Sequence, residues 1–290
     1  MKCIFCHKDS TTSKSVEHII PESLGNKKHV LPKGYVCDEC NHYFAVKIEK
    51  ELLEQPYFIS MRSRNEIKTK KDRLVKQKMI FNENRSEVTL DTSNDVLNIT
   101  LLDNEVFDLI EKGDCHEIYA NYVTEPNYPD IIMSRFLAKC AYEFFLYNVG
   151  EGHFDDCVRE CMTKGSTYEG LNPLREYARY GKGKLWEYNQ RRIYPEGSLF
   201  RKEGENIREI LFEMSFLVTK KEILDNNDVA AEIYYVLSMY GIEYSICISD
   251  RSIQGYKKWI KEIKEKSPLE RDYDHKLKIG LSDVNPFLIK

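Results

Sequence analysis

Two cysteine pairs, Cys3-x2-Cys6 and Cys37-x2-Cys40, constrain the first 40 residues more than any other feature of the chain. A CxxC knuckle turns the backbone so that both thiolates face one ion, about 2.3 Å away for zinc. Two knuckles complete a tetrahedron and pin the intervening 30 residues at their base. That interval is longer than the roughly 15–20 residues of common ribbon sites. It leaves room for an inserted hairpin, and "SVEHIIPESLGN", residues 15–26, lies inside it. No thioredoxin-like βαβ pattern surrounds either pair, which argues against a redox role. Cys115, Cys140, Cys157, Cys161 and Cys247 read instead as packing residues.

Nine cysteines behind an N-terminus without an apolar leader fit a reducing compartment, so a cytoplasmic location is expected. No run of about 18 apolar residues predicts a membrane span. A chain of 290 residues buries a core of its own, so a zinc knuckle need not supply all the folding energy. The net charge of -4 is unevenly distributed: residues 1–90 carry 17 Lys/Arg against 12 Asp/Glu, the remainder 26 against 35. The head can face a polyanion; the acidic body cannot do so uniformly.

Phe44, Ile48 and Leu52 recur at helical spacing and predict a helix over 41–54, with Pro56 beyond its end. Residues 72–102 read as strands. Residues 130–150 predict an amphipathic helix with Ile132, Phe136, Cys140 and Phe144 on one stripe, followed by lesser helices over 155–163 and 168–180. A second β region spans 186–250, in which "AEIYYVLSMYG" fits strand or helix equally. A basic helix over 252–266 has Ser252 as its N-cap. The expected division is a module over 1–60, a basic connecting segment over 61–90, and a mixed α+β domain over 91–290.

The order CxxC, "EHIIPESLG", CxxC-Asn and "NHYFAVKIEK" resembles the HNH endonucleases. The resemblance covers about the first 55 residues. It implies an α+β chain whose small N-terminal part is a zinc-stapled ββα-metal module. Cys3, Cys6, Cys37 and Cys40 match the structural Zn²⁺ ligands. His18 matches the general base, and Glu17 and Asn41 match the positions that hold a catalytic Mg²⁺ or Mn²⁺. The implied activity is hydrolysis of phosphodiester bonds, in double-stranded DNA, in bacterial or phage defence or restriction. Two departures stand out: the acid is Glu where the family more often has Asp, and "KKHVLPKGYVC" lacks the family's middle Asn. They keep a second reading open, a zinc-stapled nucleic-acid-binding module whose catalysis has decayed. A third is a head that only docks a partner.

"MRSRNEIKTKKDRLVKQK", residues 61–78, holds eight Lys/Arg against two acids. Without interleaved aromatics it suggests backbone tracking rather than base stacking. Arg62, Arg64, Lys68, Lys70, Lys71, Arg73, Lys76 and Lys78 are the candidate phosphate contacts; a solvated charged face is the alternative. The body over 91–290 fits recognition, sensing or homo-oligomerisation.

Overall fold

A computed structural model describes residues 1–69, 71–93, 96–120, 123, 125–127, 129–149, 154–166, 168–195, 198–200, 208–209, 211–222, 229–263 and 266–269. The elements in chain order are α1 (Asp38–Phe44), α2 (Lys50–Leu53), α3 (Pro56–Arg64), β1 (Lys76–Phe81), β2 (Asn84–Ser93), β3 (Val96–Leu101), α4 (Asn104–Glu111) and β4 (Ile118–Ala120). There follow α5 (Asp130–Val149), α6 (Phe154–Met162), α7 (Asn172–Tyr180), β5 (Tyr188–Arg192), β6 (Leu199–Phe200), β7 (Arg208–Glu209), β8 (Phe212–Glu222), β9 (Val229–Met239), β10 (Ile242–Cys247) and α8 (Gln254–Glu262). A π-helical turn, Ala45–Glu49, runs between α1 and α2. The mixed α+β class expected from the sequence is the one observed, with two four-stranded antiparallel sheets.

The chain forms two compact units that interleave along the sequence: Met1–Ile20 with Lys27–Ile48 and Pro129–Lys290, and Pro21–Asn26 with Glu49–Tyr128. The expected linear cuts at 60 and 90 do not fall at these boundaries. The physical reason is that β1 and β2 share one sheet with β3 and β4, so 61–90 is sheet and helix rather than connection.

In the unit containing residues 49–128 the strand order is β3-β2-β1-β4. Met79, Phe81, Val88 and Val106 form its core, with Leu90, Leu101 and Cys115 packed against them. Asn82, at φ 53, makes the β1–β2 turn. Its side chain ties that turn to the β4 approach, accepting from His116 N–H at 2.9 Å and donating to Asp114 O at 2.9 Å.

In the other unit the strand order is β5-β10-β9-β8. "AEIYYVLSMYG" resolves as strand β9, flanked on both sides by partners and buried from Tyr234 through Met239. Tyr240 and Gly241 both have positive φ, 49° and 80°, the two-residue turn that suits hairpin twist. α5 packs against α6, α7 and β10. It was expected to be amphipathic, but Met133, Phe136, Leu137, Ala138, Cys140, Ala141 and Leu146 are all sealed from solvent, so α5 is buried around most of its circumference. Phe144 meets Phe216 and Tyr235, with ring centroids 5.0 and 5.5 Å apart. α8 starts one residue later than Ser252 predicts: Ile253 is the N-cap, and Ser252 Oγ accepts from Gln254 N–H at 3.3 Å.

The head packs directly on α5 within this unit. Phe5 sits between Phe44 and Tyr142, at centroid distances of 4.6 and 5.5 Å, and Tyr142 Oη donates to Ile4 O at 3.3 Å. The two β arms of the expected ββα module are reduced to one bridge, His18 to Val30. Ile19 N–H donates to His29 O at 3.1 Å and Leu31 N–H to Glu17 O at 2.9 Å. Because α5 is a buried hub, Phe136→Ala is expected to destabilise the chain by about 3–5 kcal/mol. Urea unfolding checks this, with a shifted midpoint at unchanged slope as the expected result.

Candidate active site and metal centre

The four cysteines converge as their spacing predicts. Their sulfurs all lie within 4.8 Å of one another, and Cys6 Sγ is 3.6 Å from Cys37 Sγ. A tetrahedron with zinc–sulfur bonds of about 2.3 Å has sulfur–sulfur edges of about 3.8 Å. The quartet therefore fits a structural zinc, and four thiolates leave such an ion no position for substrate. Each knuckle sets its own backbone. His7 adopts φ 59 and donates its N–H to Cys3 O at 2.9 Å. Cys37 is the N-cap of α1, its sulfur accepting from Cys40 N–H at 3.4 Å. Arg179, on α7, donates from Nε to Cys40 Sγ at 3.2 Å while its guanidinium lies 3.9 Å from the centre of the Tyr43 ring. Sequence reasoning missed this arginine; a cation at the end of a helix far along the chain carries no signal of a sulfur partner.

Crowding splits the thiols. A hydrogen bond from Cys40 holds Cys3 down, at about 4, against burial, whereas burial pushes Cys37 up to about 11. Cys40 is raised further, first by donating to Cys3 and then by burial. Without metal the quartet therefore favours a thiolate at Cys3 and keeps protons on Cys37 and Cys40.

α1 starts at Asp38, three residues earlier than the apolar periodicity suggests, so Asn41 sits in its first turn. Asn41 Nδ2 donates to Glu17 Oε2 at 2.8 Å and to Val16 O at 3.1 Å. The acid and the amide meet although they stand 24 residues apart. Glu17 is only 5% exposed. Its other oxygen, Oε1, lies 2.7 Å from Lys139 Nζ, an ammonium that is fully buried on α5. Lys139 also donates to His18 O at 3.0 Å and pairs with Glu143, one turn on, at 3.2 Å. Cys140 Sγ meets Ile19 O at 3.1 Å. The motif is thus clamped by its neighbours on α5, of which sequence reasoning read Cys140 as a packing residue and passed over Lys139. The available signal was "FLAKCAYEFF", an i,i+4 charge pair inside an apolar run.

Adjacent oxygen ligands of Mg²⁺ lie about 3 Å apart. The 2.8 Å separation of Glu17 and Asn41 suits that edge, but the amide turns its NH₂ rather than its oxygen toward the carboxylate. Ligation by both therefore requires the Asn41 amide to reverse.

The basic segment is less uniform than its composition. Arg62 is 8% exposed inside α3, alongside buried Tyr57, Phe58 and Met61, so it is no surface phosphate contact. Arg64 is half-buried and donates to Met61 Sδ at 2.9 Å. Lys68 pairs with Asp72 and Lys76 with Glu87, at 2.9 and 3.1 Å. Lys71, Arg73 and Lys78 are exposed. Lys70 lies outside the described residues.

Residues 3–57 match the family model of HNH endonucleases. The N-terminal part of this chain is accordingly an HNH endonuclease domain, with a cysteine cluster that fits zinc stapling. Comparison with curated proteins and with solved structures gives no match. Among the described residues no helix is long and apolar enough to cross a membrane.

The purified chain is expected to carry one zinc, and Cys40→Ser to lose it together with thermal stability, read by elemental analysis and calorimetry. Loading displaces the protons held by Cys37 and Cys40, so zinc affinity should fall as pH drops from 8 to 6. Competition with a chromophoric chelator at the two pH values measures the change.

Proposed function

We propose that this chain is a metal-dependent endonuclease that hydrolyses phosphodiester bonds in DNA, with Mg²⁺ or Mn²⁺ held by Glu17 and Asn41. A domain of this family supports nuclease activity in general and implies a nucleic-acid substrate. One observation carries the residue assignment. Glu17, which directly precedes His18 in the sequence, meets Asn41 at 2.8 Å, in a segment whose base is closed by the cysteine quartet. When bound, a hard divalent cation supplies stabilisation of negative charge on the leaving oxygen. Glu17 and the Asn41 carbonyl are the oxygen donors such an ion prefers. His18 takes the proton of the attacking water as a neutral imidazole. The main chain around it is held on both sides, by the bridge to Val30 and by the Lys139 ammonium on its carbonyl.

Lys71, Arg73 and Lys78 are the exposed cations we assign to phosphate contact. Lys68 and Lys76 join them, because exposed ion pairs of this kind hold only about 0–1 kcal/mol and a phosphate can displace the partner. The family resemblance supports a setting in restriction or defence against foreign DNA, by analogy rather than by any residue.

One observation favours a second reading, a binding module without catalysis: Lys139 and the Asn41 amide engage the two oxygens of Glu17 separately. Plasmid nicking across a Mg²⁺ and Mn²⁺ series separates the two. The nuclease reading expects cleavage by the wild type and a loss of about 10²-fold or more in His18→Ala, with zinc content and melting temperature retained. Undiminished cleavage by that variant removes His18 as the base. Salt-sensitive binding without cleavage under any divalent ion establishes the second reading instead.

A further inference from the structure

Lys139 and Glu143 form a buried charge pair, both fully sealed from solvent, on a helix whose neighbouring residues are apolar. Burying an ammonium costs several kcal/mol unless partners compensate, and an apolar pair of similar volume is often equally stable or more so. The partners here are not distributed at random. The lysine reaches Glu17 Oε1 at 2.7 Å, His18 O at 3.0 Å and Glu143 at 3.2 Å. Two of these belong to the acid-histidine step of the HNH segment, and the next carbonyl along, Ile19 O, accepts from the same ammonium at 3.5 Å. The ammonium leaves Glu17 Oε2 turned toward Asn41.

Charge counting gives the glutamate a distinct part. Lys139 against Glu17 alone is neutral, and a neutral site has little attraction for a divalent cation. Adding Glu143 leaves two carboxylates around one ammonium, a net charge of −1. We propose that Lys139 and Glu143 are positioning residues for the proposed catalytic centre. Lys139 orients Glu17 and the His18 main chain, and Glu143 returns the negative charge that Lys139 cancels, so that a divalent cation can be held. Being fully buried, neither touches substrate; Lys139 acts through Glu17 and the His18 main chain, and Glu143 through the charge around Glu17. This inference rests on the reading of Glu17 as a metal ligand.

The test is a charge series on the full-length, zinc-loaded chain, with Mn²⁺ as the probe and its binding read by calorimetry and electron paramagnetic resonance, independently of cleavage. The three side chains sum to −1 in the wild type, 0 in Glu143→Gln, −2 in Lys139→Met and −1 again in Lys139→Met/Glu143→Leu. Expected Mn²⁺ affinity follows that order: weakened about tenfold or more in Glu143→Gln, near wild type in the double variant, and strongest in Lys139→Met. Nicking by Glu143→Gln should recover at saturating Mn²⁺. Nicking by the double variant should stay low at any Mn²⁺ concentration, because Glu17 has lost its anchor. Lys139→Met leaves two buried carboxylates uncompensated and is the variant most exposed to misfolding; the other two decide the question without it. Equal Mn²⁺ affinity in wild type and Glu143→Gln, or affinity that tracks melting temperature rather than charge, overturns the inference while leaving the nuclease reading intact. Wild-type Mn²⁺ binding that needs Glu17 but yields no nicking overturns the nuclease reading and leaves the charge series standing. Absence of any Mn²⁺ site at Glu17 overturns both.

Discussion

Convergence of four sulfurs at one point is the constraint on which the head depends. Residues 7–36 offer few regular hydrogen bonds: one internal bridge at His18–Val30, one from Asp9 back to Lys2, and a single 3-10 turn at Glu22–Leu24. Such a segment cannot hold its shape by backbone pairing alone, because each ordered residue costs about 1–2 kcal/mol of conformational entropy. Pinning both its ends reduces the freedom left to lose. The same closure fixes where α1 begins, since Cys37 is both a candidate ligand and the N-cap. Asn41 then falls in the first helical turn, within reach of Glu17. The cysteine cluster and the Glu17–Asn41 pair are one construction, although an ion held by four thiolates has no open position for substrate.

A second layer holds that construction from outside. Arg179 on Cys40, Tyr142 on Ile4, Cys140 on Ile19 and Lys139 on Glu17 and His18 all come from α5 or α7. Arg135 extends the layer by donating to Tyr43 Oη at 2.6 Å and to the last carbonyls of α7. Two kinds of contact are mixed here. Apolar surfaces such as Phe5 against Phe44 and Tyr142 supply most of the adhesion. The polar contacts fix orientation instead, because a misplaced buried charge or donor is penalised heavily.

How much was legible in the sequence follows from the range of each interaction. The quartet and its zinc preference were readable because thiolate spacing is local within each pair and repeats. The α1–α2 helix was readable from Phe44, Ile48 and Leu52, all fully buried. The strands of 72–102 were readable from alternation, whereas "AEIYYVLSMYG" fits strand or helix equally until the Tyr240-Gly241 turn places it as β9. Three failures share a cause. Arg62 was counted as a surface cation because charge was summed along the chain without regard to the helix face. α5 was taken as amphipathic because periodicity marks one apolar face but not how many neighbours will cover the others. Lys139 and Glu143 were passed over: their i,i+4 spacing marks a local pair, but the further partners of Lys139, Glu17 and His18, stand 121 or more positions away.

That distance bears on what the HNH segment is. The family match ends at residue 57, yet the ammonium that balances Glu17 comes from residue 139 and the guanidinium against Cys40 from residue 179. Within the same compact unit, the Phe5 and Ile4 contacts are likewise completed by Tyr142. A fragment ending at 57 would expose those apolar faces and return the Glu17 carboxylate to water, with nothing to select one orientation. The geometry that makes Glu17 and Asn41 meet is therefore a property of the whole unit, in which the short motif contributes reactive groups and the later helices contribute their alignment.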